Sequence, residues 1–252
     1  MIKRPIGILD MGIEGFVLLQ SLRRKFIYED FIYINDIDNY PYEGKEEKEI
    51  LSYVKDKVAF LLSYDIKVLI VVSDTIIEYC EDYLNSLDIS VINPVHEINK
   101  EVSRVYEKKN MVLLARKAIL DAKMYQKYFV YNHLYNLPSD LLNDILDKGN
   151  IKTSLSFDLT KQVLKPVLQR DLDIVIISSL YYILLKTEIS EYLDNIKILS
   201  TDDLIIKALK QEKIEFETTK KGKTLVFSNY DEKEFRNINR WVISDYNYMK
   251  LT

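Results

Sequence analysis

Two short stretches of this sequence place hydroxyl side chains where α/β proteins carry out chemistry. The first runs Lys67-Val-Leu-Ile-Val-Val-Ser-Asp-Thr-Ile-Ile-Glu-Tyr-Cys80. Its apolar run, Val68 to Val72, predicts a strand buried on both faces, as in a parallel sheet. Ser73, Asp74 and Thr75 follow as a polar turn, and helical apolar spacing resumes at Ile76, Tyr79 and Tyr83. The second stretch, Asp173-Ile-Val-Ile-Ile-Ser-Ser-Leu-Tyr-Tyr-Ile-Leu-Leu, repeats the pattern, with Ser178 and Ser179 in the place of Ser73. Ligands of open α/β sheets sit at the carboxyl ends of strands. The repeat therefore predicts two related halves with a site between them. The two serines have two readings. They are weak acid–base groups or a nucleophile, or they are small polar residues satisfied by backbone or water. No histidine lies beside either of them, and a serine nucleophile needs an activating base. His96 and His133 are far apart and belong to no paired-ligand motif.

The elements that would position these residues alternate strand and helix. Strands are predicted at Pro5 to Asp10, Phe31 to Asn35, Val68 to Val72, Ile89 to Ile92, Met111 to Ala115, Phe129 to Leu134, Ile174 to Ile177 and Ile196 to Leu199. Helical spacing covers Phe16 to Phe26, with Arg23, Arg24 and Lys25 suiting a helix C-terminus. It also covers Lys45 to Tyr64, the segment after Thr75 to about Leu87, a segment through Val102 and Val105, and Met124 to Tyr128. Further helices are expected at Pro138 to Lys148, capped by Gly149, at Leu159 to Arg170, at Thr187 to Leu193, from Thr201-Asp202-Asp203 to about Gln211, and at Asp231 to Val242. Phe216 to Phe227 reads as a hairpin turning at Lys221-Gly222, with Lys220, Lys221 and Lys223 as its solvated charges. This alternation specifies an α/β protein with parallel sheets flanked by helices. Asp10 and Asp36 end the first two strands, and each reads as an acid behind the site or as a turn cap.

Composition narrows the function classes. The chain has 252 residues, 48% hydrophobic and 29% charged, with a net charge of −4. That is an ordinary soluble composition and long enough for one large or two small domains. No basic stripe is present, which argues against nucleic acid as a partner. One cysteine, Cys80, allows neither an internal disulfide nor a Cys-rich metal site, so no metal is expected and the location expected is cytoplasmic. Cys80 falls two turns into the helix after Ser73 and reads as core. No apolar run reaches the roughly 18 residues of a membrane span, and the N-terminal residues read as a strand rather than a signal peptide. Gly7, Gly12 and Gly15 approach a dinucleotide fingerprint but with the wrong spacing, so no cofactor is expected.

Read together, these segments resemble the glutamate racemases, within the wider aspartate/glutamate racemase group. Ile6-Gly7-Ile8-Leu9-Asp10 with Gly12 and Gly15 is similar to the opening aspartate and glycine turn of the family. Tyr33-Ile34-Asn35-Asp36 followed by Pro41-Tyr42 is similar to its aspartate loop and Pro-Tyr-Gly motif, which here ends in Glu43. Val72-Ser73-Asp74-Thr75 stands where the family has Ala-Cys-Asn-Thr. Ser179-Leu180-Tyr181-Tyr182-Ile183-Leu184-Leu185 stands where it has Cys-Thr-His-Tyr-Pro-Leu-Leu. The resemblance covers essentially the whole chain.

The resemblance implies two pseudo-symmetric α/β domains with a cleft between them, residues 1–93 with 208–252 and residues 94–207. The family reaction it implies is cofactor-independent interconversion of L- and D-glutamate for peptidoglycan synthesis. It also implies an amino-acid-like ligand and a homodimer. Ser73 and Ser179 would take the two catalytic positions, with Asp10 beside them. Met11, Tyr42, Asp74, Thr75, Leu180 and Tyr181 would fall in the substrate shell. Inverting an α-carbon needs an acid–base group on each face. A thiol, with a pKa near 8.5, supplies a thiolate near neutral pH. A hydroxyl is a far weaker acid, and each pKa unit costs about 1.4 kcal/mol to reach the anion. The shell also departs from the family. Met11 replaces a serine, and Asp74 an asparagine. Ile119 and Ala122 replace a threonine and a serine, and Leu180 and Tyr181 a threonine and a histidine. Asp74 as an anion repels an anionic ligand unless it is protonated. Three readings remain: a catalytically silent homologue that binds a ligand or a protein, a weak glutamate racemase, and a changed small-molecule enzyme using Ser73 and Ser179.

Overall fold

The computed structural model describes residues 4–42, 44–129, 133–242 and 245–251; the side chain of Lys127 also lies outside the description. The chain divides into two compact units, residues 1–93 with 206–252, and residues 94–205. Both are parallel α/β structures.

The first unit holds β1 (Ile6–Asp10), α1 (Gly15–Lys25), β2 (Phe31–Asn35), α2 (Glu47–Leu62), β3 (Val68–Val71), α3 (Asp74–Asn85) and β4 (Val91–Ile92). The second unit holds α4 (Pro94–Val105), β5 (Asn110–Ala115), α5 (Lys117–Asp121), β6 (His133–Pro138), α6 (Asp140–Asp147), α7 (Ser154–Leu164), β7 (Ile174–Ile177), α8 (Lys186–Tyr192) and β8 (Lys197–Ser200). The division falls inside α9 (Thr201–Gln211), after which the chain completes the first unit with β9 (Thr224–Ser228), α10 (Glu232–Ile238) and β10 (Asn247–Lys250).

The first sheet runs β10-β9-β2-β1-β3-β4 and the second β6-β5-β7-β8. The central strands β1, β2, β3 and β7 are buried at every residue. A strand covered by helices on both faces needs apolar side chains on both, which is why β3 and β7 are unbroken apolar runs and β1 and β2 carry a polar side chain only at the last residue. The helices carry the matching stripes. In α2, Ile50, Val54, Val58 and Leu61 are the buried positions, three to four residues apart as one helical face requires.

Four expectations need correction. The hairpin over Phe216 to Phe227 does not form. β9 pairs in parallel with β2 on one edge and β10 on the other, so no edge is left for an antiparallel partner. Gly222 lies instead against the chain entering β2, with its amide on the Ile27 carbonyl at 3.0 Å. The segment expected as a strand at Phe129 to Leu134 begins at His133 and runs to Pro138; residues 130–132 lie outside the description. Pro138 therefore closes a strand rather than opening α6, as befits a residue without an N–H on an edge strand. The helix expected from Leu159 starts at Ser154, because Thr153 and Ser156 form a reciprocal capping box there, and it ends before the short 3-10 turn containing Pro166. Finally, β10 had no expected counterpart. Gly149 does close α6 with a positive φ of 78°.

Candidate functional site

In the first unit the candidate residues gather at the carboxyl ends of β1 and β3. Asp10, the last residue of β1, is 2% exposed. Its carboxylate accepts the Gly12 and Gly15 amides at 3.1 and 2.8 Å and the Tyr33 hydroxyl at 2.8 Å. Burial pushes this carboxyl above its ordinary value, and the bonds from Tyr33, Gly15 and Gly12 pull it back down. The acid thus ties the turn after β1 and the start of α1 to β2. Gly15 is required at that start. A Cβ there would meet Val72 Cγ2 at 2.5 Å and Asp10 Oδ2 at 2.7 Å.

Ser73 ends the β3 segment and caps α3, its Oγ accepting the Ile76 amide at 3.4 Å. Its hydroxyl points to Met11 Sδ at 4.0 Å, so the turns after β1 and β3 meet through these two side chains. Asp74 and Thr75 are the first two residues of α3, and both are half-buried. Burial, then the charges of Glu14 and Glu78, push the Asp74 carboxyl up to about 8. The expected carboxylate is thus held largely protonated at neutral pH.

Tyr42 is placed otherwise. It is 1% exposed and its hydroxyl donates to Asp36 Oδ2 at 2.6 Å. Asp36 also accepts Asn39 Nδ2 at 2.9 and 3.0 Å and pairs with Lys57 Nζ at 3.2 Å. Burial and the bond to Asp36 push the Tyr42 phenol well above its ordinary value. Tyr42 and Asp36 therefore fasten the loop after β2. Cys80 is 2% exposed, and burial pushes its thiol up to about 11.

In the second unit, Ser178 and Ser179 follow β7. Ser178 Oγ donates to the Leu114 carbonyl at 3.2 Å, binding β7 to β5. Ser179 precedes a short 3-10 helix, Leu180–Leu185, and its hydroxyl does not cap it. Its Oγ accepts instead from Asn143 Nδ2 of α6 at 2.9 Å. Asn143 Oδ1 accepts the Ser139 hydroxyl at 3.1 Å and the Tyr182 hydroxyl. Asn143, Ser139, Tyr182 and Ser179 are exposed by 0, 1, 0 and 6%. Leu180 and Tyr181 are buried as well. Asn143, Ser139 and Tyr33 were not expected as site residues. Only the Ser139/Asn143 spacing of four, one helical turn, hinted at a shared face.

The two serines are therefore held differently. Ser73 bonds to a helix amide and a thioether, while Ser179 bonds to a side-chain amide. Among the described residues no group of three or more His, Cys, Asp or Glu could hold a metal ion. No helix among them is long and apolar enough to cross a membrane. An open pocket of about 350 Å³ lies elsewhere on the second unit, lined by Lys186, Thr187, Ser190, Glu191, Asn195 and Ile198.

Parallel sheets with short polar turns at the carboxyl ends of their strands define the open α/β class, which binds ligands at those ends. No family model matches the chain. Individual proteins do. A glutamate racemase of Clostridium novyi (strain NT) is 27% identical, over 92% of this chain and 93% of its own. One of Lactobacillus johnsonii is 26% identical, over 97% and 96%. Among solved structures, glutamate racemase isoform RacE1 of Bacillus anthracis superposes with a TM-score of 0.84 at 23% identity, covering all of this chain and 98% of its own. The Francisella tularensis glutamate racemase in complex with D-glutamate gives 0.81 at 20%, covering 100% and 98%. The chain resembles glutamate racemases over nearly its whole length and shares their fold.

Proposed function

We propose that this chain is a glutamate racemase-like protein that binds a small amino-acid-like ligand and has lost appreciable racemisation. The observation that carries this reading is the setting of Ser73 and Ser179. Each stands at a strand end expected to hold an acid–base group, and each presents a hydroxyl there, Ser73 Oγ accepting the Ile76 amide and Ser179 Oγ accepting from Asn143 Nδ2. Ser73 Oγ is engaged as a helix cap. A hydroxyl many pKa units above a thiol, at both positions, removes most of the rate that paired acid–base groups supply. The racemase resemblance supports the ligand class. The same reading has the protein acting without a cofactor, in the cytoplasm, as a homodimer.

A weaker racemase is the second reading, and Asp74 favours it. Its carboxyl, next to Ser73, is pushed up to about 8, near the range of a free thiol. Incubation of the protein with L-glutamate in deuterated water, followed by NMR at the α-position, separates the two. The expected result is no exchange above the buffer rate, with binding seen as a thermal shift. Exchange that disappears in S73A or S179A overturns the first reading. Exchange that survives both and disappears in D74N assigns the chemistry to Asp74.

A further inference from the structure

Position 179 is the more elaborately held of the two serine positions, and the holding comes from a helix that carries no other expected site residue. Asn143 sits within α6, fully buried, and reaches the residue after Ser178 at the end of β7. Its carbonyl oxygen is occupied by two hydroxyl donors, Ser139 at the start of α6 and Tyr182 on the 3-10 turn after Ser179. With its oxygen so engaged, the amide presents its N–H to Ser179 Oγ. Tyr182 also reaches the Ser139 carbonyl at 3.5 Å, so the network closes on itself. A buried amide is costly unless its donors and acceptor are used. Here three neighbours use it. A bond from an amide N–H favours the more negative form of the atom that accepts it.

We propose that Asn143 is a positioning residue for the side chain at 179: its amide, fixed by Ser139 and Tyr182, holds the γ atom there and stabilises negative charge on it. This arrangement stands independently of whether turnover survives, because it concerns the state of the side chain and not the fate of a ligand.

A thiol introduced at 179 reads the effect directly. S179C, S179C/N143L and S179C/N143D are alkylated with iodoacetamide across a pH series, with the parent chain, whose one cysteine is buried, as the blank. The midpoint of the rate profile is expected to rise by about one pH unit from S179C to S179C/N143L, a tenfold loss of thiolate below the midpoint. It should rise further in S179C/N143D, where a carboxylate faces the thiolate. A residue that merely fills space predicts one midpoint for all three. Coincident midpoints, the reverse order, or a folded S179C that resists alkylation at every pH overturn the proposal. Should the cysteine variants fail to fold, the native bond is read from a cycle of S179A, N143L and S179A/N143L. The loss of melting temperature in the double variant is expected to be smaller than the sum of the single losses, and strict additivity overturns the proposal.

Discussion

Gly222 stands directly on the backbone of Glu29. A Cβ at 222 would lie 1.8 Å from the Glu29 carbonyl oxygen and 2.4 Å from its carbon. This contact seats the segment that returns from α9 beside the chain entering β2. The Gly222 amide bonds the Ile27 carbonyl at 3.0 Å, and the Phe31 amide bonds the Lys223 carbonyl at 2.9 Å. A side chain at 222 would push this segment off the sheet. Gly222→Ala is therefore expected to destabilise the protein by about 3 kcal/mol or more, at or above the upper end for overpacking, measured by urea unfolding. A loss below about 1 kcal/mol would show that the segment can shift without cost.

The same segment is fastened by a buried ion pair. Lys67 Nζ lies 2.6 Å from Glu29 Oε2, with side-chain exposures of 7 and 2%. Lys67 also donates to the Glu215 carbonyl at 2.7 Å, and its ammonium lies 5.5 Å from the Phe216 ring centroid. Phe216 in turn stacks on Phe26 at 5.2 Å. Removing one partner leaves the other charge buried alone, which costs about 3–5 kcal/mol. Lys67→Met and Glu29→Gln should each lose that much in chemical denaturation, and the double variant should lose less than the sum.

Asp74 should give stability a pH dependence of unusual sign. Its carboxyl is pushed up to about 8 in the folded protein, against an ordinary value near 3.8. Between these values the folded state holds a proton that the unfolded chain has released. Stability therefore falls as pH rises through this window. The loss is absent below about pH 4 and complete above about pH 8. Asp10, also raised by burial, adds to the trend. Asp74→Asn removes the Asp74 share, so D74N should melt above the parent at pH 8 and match it at pH 4. Equal melting temperatures at pH 8 would mean that Asp74 is ionised freely in the fold.

Cys80 should be inert while the protein is folded. Its thiol, pushed up to about 11 and 2% exposed, offers a thiolate fraction of roughly one in a thousand at pH 8. Labelling with a chromogenic disulfide at pH 8 is expected to be at least about a hundredfold slower in the native protein than in urea. Comparable rates would place Cys80 in a mobile or open part of α3.

Much of this structure is legible in the amino-acid order. Val68 to Val71 and Ile174 to Ile177 are unbroken apolar runs, and Ile6 to Asp10 and Phe31 to Asn35 carry a polar side chain only at the last residue; such runs are stable only when covered on both faces. The stripe of α2 is legible for the same reason. The strand-end positions of Ser73 and Ser179 follow from those runs. Where neighbours decide, the order of residues is silent. Phe216 to Phe227 carries hairpin turn residues at Lys221-Gly222, yet β9 takes β2 and β10 as its partners. β10 itself is four residues long and largely exposed, so no periodicity marks it.

The chemistry divides along the same line. Residue type alone determines that hydroxyls, not thiols, stand after β3 and near the end of β7, because the pKa of a side chain begins with its own bond. Tertiary structure decides what each hydroxyl does. Ser73 becomes a helix cap because α3 starts at the next residue. Ser179 is held by Asn143, 36 positions away in sequence, because the fold brings α6 to the turn after β7. Tyr42 serves Asp36, and Asp74 stays largely protonated at neutral pH because burial and the charges of Glu14 and Glu78 disfavour its anion. Hydrogen bonds and desolvation depend on distances across the fold, and spacing along the chain does not encode those distances.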